Sequence, residues 1–197
     1  MSLDRLLKLA FLAGFLVAAG AAIVAARRAA ARHGAVNYLR DEIRGLIPIR
    51  AVLGLVFYAA LIIWLFGVPG FAWSYVRLPD GVRQAAGVLL VVTVLWLVWS
   101  YRALGSNYRA GVGLHGEHEL VTTGPYRFLR HPIYLAFVLL MVLTGLMSQN
   151  WVLGLSGLSL VGILAAARVP EEERRLRERF KARWDDYQAL TGAFFPR

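Results

Sequence analysis

Charged residues are missing from four long stretches of the chain, and those gaps outline its architecture. They run from Leu9 to Ala26, Ala51 to Val76, Gln84 to Tyr101 and Pro132 to Ala167. A helix needs about 20 apolar residues to cross the ~30 Å hydrocarbon core of a bilayer. The first and third windows each predict one membrane span. The second predicts a span broken near Pro69-Gly70. The fourth is too long for one crossing, and Ser148-Gln149-Asn150 places turn-forming residues at its middle. It predicts a helical hairpin, 132–148 and 151–167. The pattern therefore predicts an all-α polytopic membrane protein with about five transmembrane helices. The first window reads as a span rather than a removed signal peptide, because no cleavage site followed by soluble sequence is evident.

Composition agrees. Hydrophobic residues make up 58% of the 197, and charged residues only 17%, against about a quarter in soluble domains. There is no cysteine, which excludes disulfides and thiolate metal sites, and no metal is expected. The net charge of +10 comes from twenty Arg and two Lys against twelve acids. With five spans, the connections 27–50 and 102–131 and the tail after 167 share one face, and they hold 18 of the 22 Lys and Arg. The other face has only Arg5, Lys8, Arg77 and Arg83. The positive-inside rule then puts the C-terminus in the cytoplasm. It also accounts for the basic charge without a nucleic-acid partner. The arginine bias fits a GC-rich genome, so a bacterial inner membrane is the expected location.

Three segments carry chemistry or packing beyond hydropathy. In the first span Ala10, Gly14, Ala18, Ala22 and Ala26 recur every four residues, spacing that lets another helix approach closely. Intramolecular packing is the plain explanation, and a homodimer through this face is the alternative. The tail "RVPEEERRLRERFKARWDDYQAL" predicts a cytoplasmic amphipathic helix over 170–191. Pro170 suits its first position, and Glu171, Glu172 and Glu173 suit its positive end. Leu176, Phe180, Tyr187 and Leu190 form its apolar stripe. Such a helix could also simply lie on anionic lipid with its arginines snorkelling. The third segment, "GPYRFLRHPIY" at 124–134, gathers turn formers, Arg130, His131, Tyr126 and Tyr134 just before a span. Pro132 starts a helix, whose free N–H groups would make an anion site facing the loop. Arg, His and Tyr are also ordinary anchors at a membrane boundary. An anion-binding turn, aromatic faces and acidic groups converging on one membrane face instead suit a ligand with a carboxylate, a cation and a ring system.

"HELVTTGPYRFLRHPIY", a short hairpin and then "EERRLRERFKARWDDY" together resemble the isoprenylcysteine carboxyl methyltransferases and their bacterial relatives, integral membrane enzymes that use S-adenosylmethionine. The resemblance covers about 102–197, with "GSNY" at 105–108 also similar, and implies a methyltransferase core there behind three N-terminal membrane helices in 1–101. It implies that His118, Glu119, Leu120 and Val121 hold the cofactor largely through backbone groups. Tyr126, His131, Pro132, Ile133, Tyr134 and Glu172 would bind it too, with Glu173 beside them. Arg168, one turn before Glu172, would bind the acceptor's carboxylate and act in catalysis.

The chain departs from the family at Gly113, where some members have a glutamine; at Trp184, where a tyrosine is usual; at Lys181, where glycine is usual; and at Ala193, where a basic residue is common. These changes bear on the substrate more than on the cofactor. The implied activity is methyl transfer to a lipophilic or lipidated acceptor, with membrane lipids as the surroundings. A carboxylate acceptor needs no general base, whereas a thiol would. Relatives with other reactions, phospholipid N-methylation or NADPH-dependent sterol reduction, and a non-catalytic membrane scaffold are the alternatives.

Overall fold

The computed structural model describes residues 2–33, 46–108 and 119–197, and every regular element among them is helical. They are α1 (Leu3–His33), α2 (Leu46–Phe66), α3 (Asp80–Leu104), α4 (Pro132–Ser148), α5 (Trp151–Phe180) and α6 (Ala182–Leu190), with short 3-10 turns at Ala72–Ser74, Gly105–Asn107 and Gly124–Arg127. Four of these, α1, α2, α3 and α5, are long and apolar enough to cross a membrane, and α4 is a shorter apolar helix. The chain is an integral membrane protein. Its second apolar window ends as a helix at Phe66, and Gly67 and Gly70 carry the chain on with positive φ.

α3 is the hub. It packs against α1 on one side and α4 on the other; α4 packs on α5, and α5 on α2. α1 and α2 approach at one end, where Phe11 sits edge-on to Trp64 with centroids 5.5 Å apart. That end is pinned by Arg83, which is only 8% exposed. It donates to Asp4 at 2.8 Å and to the Met147 carbonyl at 3.3 Å, tying α1, α3 and the end of α4 together. The small residues of α1 face inward: a Cβ on Gly14 would lie 3.1 Å from Leu90, and Ala18, Ala22 and Ala25 pack around Leu97 and Tyr101. The face that would suit a homodimer is therefore taken up by α3 of the same chain.

The α4–α5 hairpin turns where the sequence predicts. Gln149 takes the left-handed conformation (φ 58) that ends α4. Asn150 then caps α5, accepting from the Leu153 amide at 2.9 Å and donating to Ser74 Oγ at 2.9 Å, as short polar side chains do at an N-cap. The two helices touch backbone to backbone: a Cβ on Gly145 would fall 2.8 Å from the Gly154 Cα.

The tail corrects the sequence reading. The helix expected to start at Pro170 is the continuation of α5, which runs unbroken from Trp151 to Phe180 through that proline. Glu171 is consequently a mid-helix residue, and its carboxylate pairs laterally with Arg174 and Arg175. Such pairs one turn apart support a helix at a position where proline weakens it. The real break falls at Lys181, and α6 follows. Leu190, expected on the buried stripe, is 79% exposed; Trp184, at 1%, takes that place with Tyr187.

Lys181 sits at φ 48, ψ −122, a backbone region that fits glycine and costs other residues of order 1–3 kcal/mol. Lys181→Gly should therefore raise the melting temperature of the detergent-solubilised protein, by roughly 2–4 °C for each kcal/mol of strain relieved. An unchanged or lower melting temperature would show that the lysine is not strained there.

Candidate active site

At one end of the bundle, where α1, α3 and α5 finish, the described part of the α3–α4 connection and the C-terminal tail converge. The connection begins with the Gly105–Asn107 turn after α3. Asn107 Oδ1 accepts the Glu119 amide at 3.2 Å, and Ser106 Oγ accepts from Arg32 of α1 at 3.0 Å. Glu119, Leu120 and Val121 follow without regular secondary structure, Glu119 exposed and the other two half-buried. His118 lies outside the described residues, as do Gly113 and the basic residues Arg40, Arg44 and Arg109 used in reading the topology.

Gly124 turns the chain against α3. Its φ is +62, and a Cβ there would lie 3.1 Å from the Ala103 Cβ, so both conformation and space favour glycine. The turn buries Pro125 and Tyr126, and the Tyr187 hydroxyl of α6 donates to the Tyr126 carbonyl at 2.7 Å. Burial first, and then the nearby charge of Glu172, push the Tyr126 pKa well above its ordinary value. The phenol therefore remains a neutral hydrogen-bond donor among Glu172, Tyr101, Tyr108 and Tyr187.

His131 precedes α4 with non-helical backbone (φ −124), as expected of a residue before proline. Pro132 is buried at the first helical position, and its carbonyl accepts from Trp96 Nε1 at 3.4 Å. Ile133 packs with the Leu97–Tyr101 cluster. His131 itself is 4% exposed. Its Nε2 lies 3.0 Å from Glu173 Oε1, the atom to which Arg130 Nε donates at 2.9 Å. The tail closes over this group. The Arg130 and His131 amides donate to the Gly192 and Ala193 carbonyls at 2.9 and 3.1 Å, and Phe194 lies against the His131 ring with centroids 5.7 Å apart. The C-terminal residues thus engage the two backbone amides just before α4. Arg130 also donates to the Thr191 carbonyl and lies over the Trp184 ring at 6.0 Å.

Tyr134, one turn into α4, meets α5. Its hydroxyl interacts with both Glu172 and Arg168, which stand one turn apart on that helix. Glu172 thus has Tyr134, His131, Arg168 and Glu173 around it. The structure brings together Tyr126, His131, Pro132, Tyr134, Arg168 and Glu172, and it links Glu119 to the 105–108 turn instead. The sequence reading gave no role to Tyr101 or Tyr108, which flank that turn and stack edge to face at 5.0 Å. The signal was "GSNY" at 105–108, which holds Tyr108; Tyr101 had none. It also missed that Glu173, not Glu172, binds Arg130 and His131. Beneath the cluster, an apolar groove of about 260 Å³ runs among α1–α5, lined by Phe11, Phe57, Leu90, Leu97 and Phe137 and bounded by Tyr101.

The model of the isoprenylcysteine carboxyl methyltransferase family matches residues 85–178. The chain is 40% identical over 79 residues to the nickel-cobalt-cadmium resistance protein NccN of Alcaligenes xylosoxydans xylosoxydans, a match covering 40% of this chain and 37% of that protein. Among solved structures, the eukaryotic intramembrane Ras methyltransferase, isoprenylcysteine carboxyl methyltransferase, superposes with a TM-score of 0.57 at 21% identity. That superposition covers 76% of this chain and 53% of the other, and it establishes a shared fold. The chain thus spans well under half the length of NccN and about half that of the Ras methyltransferase.

Proposed function

Because residues 85–178 belong to the isoprenylcysteine carboxyl methyltransferase family, we propose that this integral membrane protein transfers a methyl group from S-adenosylmethionine to a lipophilic carboxylate. The observation that carries the reading is the pairing of Arg168 and Glu172 on one face of α5, joined through the Tyr134 hydroxyl. The cluster's chemistry fits the cofactor. A carboxylate, Glu172, can accept hydrogen bonds from hydroxyl or amino groups. Tyr126 and Tyr134 offer flat rings, and Tyr126 a protonated hydroxyl. Glu119, Leu120, Val121 and the undescribed His118 would add backbone contacts from the loop, while Pro132 and Ile133 fix the start of α4. S-adenosylmethionine supplies, when bound, a sulfonium methyl group already activated for transfer.

An ionised carboxylate acceptor is already a nucleophile, so no residue has to remove a proton. The chain's task is to position the acceptor and exclude water, and positioning of this kind can contribute roughly 7–11 kcal/mol. Arg168 orients the acceptor carboxylate. An orienting contact rather than a tight buried pair would leave that carboxylate its nucleophilicity. The groove bounded by Tyr101 is where the acceptor's apolar chain would lie, with its head toward Tyr126.

Calorimetry in nanodiscs should detect S-adenosylmethionine binding that S-adenosylhomocysteine competes away, and labelled methyl groups should pass to a prenylcysteine or similar apolar acid. No heat and no competition would end this reading. Arg168→Ala should lower kcat/KM for the acceptor by about tenfold or more, the size of one lost charge-assisted hydrogen bond, and change cofactor affinity much less. We also place the α5–α6 end in the cytoplasm of a bacterial inner membrane, on the arginine asymmetry. A reporter fused at Arg197 and found outside would reverse that orientation.

A further inference from the structure

A second cavity lies between the C-terminal half of α1, from Val17 to Arg28, and the end of α3; it shares Tyr101 with the apolar groove, and none of Tyr126, His131, Tyr134, Arg168 or Glu172 lines it. It measures about 270 Å³. Val17, Val24 and Val98 form its apolar length, and Tyr101, 4% exposed, forms part of its wall. At the end where α1 and α3 leave the apolar layer, two exposed arginines, Arg28 and Arg102, line it. Gly20 opens it: a Cβ built there meets nothing within 4 Å. The helix backbone at Gly20 is an ordinary one, so glycine is not demanded by conformation, and its effect is to leave the cavity empty at that point.

We propose that this cavity binds an anionic phospholipid, its phosphate held between Arg28 and Arg102 and one acyl chain laid along Gly20 and the valines. Two observations select that occupant. Charge complementarity calls for an anion at the arginine end. The rest of the lining is apolar and lies within membrane-spanning helices, where a bilayer-dissolved chain reaches it and a free water-soluble anion gains nothing from it. Arginine suits the anionic end because its planar fork matches phosphate oxygens and is weakly hydrated. The bound lipid would bridge α1 and α3, with Tyr101 beneath it, and so brace the wall shared with the apolar groove.

The test uses the full chain in neutral detergent micelles, with dioleoyl phosphatidylglycerol as the probe. Adding it well above its Kd should raise the melting temperature by on the order of 5 °C. Phosphatidylcholine of the same chains and inorganic phosphate should each leave it within about 1 °C, since neither combines the charge with the chain. Gly20→Leu fills the apolar length without touching other atoms at Cβ and improves helix propensity, so it should fold and lose most of the shift. Arg28→Gln with Arg102→Gln should lose it as well. Arg27→Gln, which removes one such charge from an exposed residue outside the cavity, should keep it. The proposal is overturned if phosphatidylcholine or phosphate alone reproduces the shift, if Gly20→Leu retains it, or if Arg27→Gln abolishes it. If the double arginine variant does not fold, Gly20→Leu and the lipid comparison still decide the matter.

Discussion

Glu172→Gln should weaken S-adenosylmethionine binding by about ten- to a hundredfold while the melting temperature changes little. The expectation follows from the surroundings of the carboxylate. Glu172 lies among Tyr134, His131 and Arg168, but the partner that anchors His131 and Arg130 is Glu173. Glutamine keeps the shape and an oxygen that can still accept from the Tyr134 hydroxyl, so the contact between α4 and α5 survives. What it loses is charge. A hydrogen bond to a charged group contributes roughly 1.5–3 kcal/mol, and every 1.4 kcal/mol is about tenfold in affinity. Tyr134→Phe is the companion variant, because it removes the hydroxyl that joins Glu172 to Arg168. It should lower turnover through a misaligned Arg168 and reduce cofactor affinity less than Glu172→Gln does. Calorimetry for affinity and thermal melts for folding separate the outcomes. A lower melting temperature with unchanged affinity would make Glu172 a structural residue and remove it from the site.

The five apolar helices and the hairpin turn were legible because burial in lipid leaves a one-dimensional record: a run of uncharged residues of the right length, and polar turn formers where it doubles back. The course of the tail was not legible. Pro170 followed by three glutamates reads as a helix start by local rules, and only the lateral Glu171 pairs and the packing of α5 keep the helix continuous through the proline. Lys181, noted as a departure from glycine, marked the true break, because its positive φ is what a glycine there would supply. The site was partly legible. Tyr126, His131, Tyr134 and Glu172 lie in motifs, and the structure draws them together. Tyr108 closes the "GSNY" stretch but was given no role there, and Tyr101 carried no motif; their place depends on the turn at Gly105 bringing the chain back over α3. Nor could the sequence divide labour between two adjacent glutamates. Successive helical residues point about 100° apart, and which of them meets Arg130 depends on how the tail closes over α4.

That division gives the second large effect. Glu173→Ala should cost about 3–5 kcal/mol, the usual penalty for removing one partner of a buried ion pair, and lower the melting temperature by roughly 10 °C. The Arg130 side chain is 8% exposed and that of His131 3%. Without the carboxylate at 2.9 and 3.0 Å, Arg130 would be left in a closed environment facing backbone carbonyls and the Trp184 ring, and His131 would keep only Glu172 as a nearby carboxylate. Arg130 also donates to the Gln188 and Thr191 carbonyls, and its amide and that of His131 hold Gly192 and Ala193. Freeing the guanidinium should therefore loosen the tail, seen as faster amide exchange at Arg130 and His131. Cofactor affinity should fall in consequence, so affinity alone does not distinguish Glu173 from Glu172. The double-mutant cycle with Arg130→Met does. If Glu173 acts through its ion pair, the double variant should be more stable than the sum of the single changes implies, by at least about 1 kcal/mol, because contacting residues in one network do not add. Strict additivity, or a Glu173→Ala variant that melts like the wild type, would show that the tail is held by its backbone pairing alone.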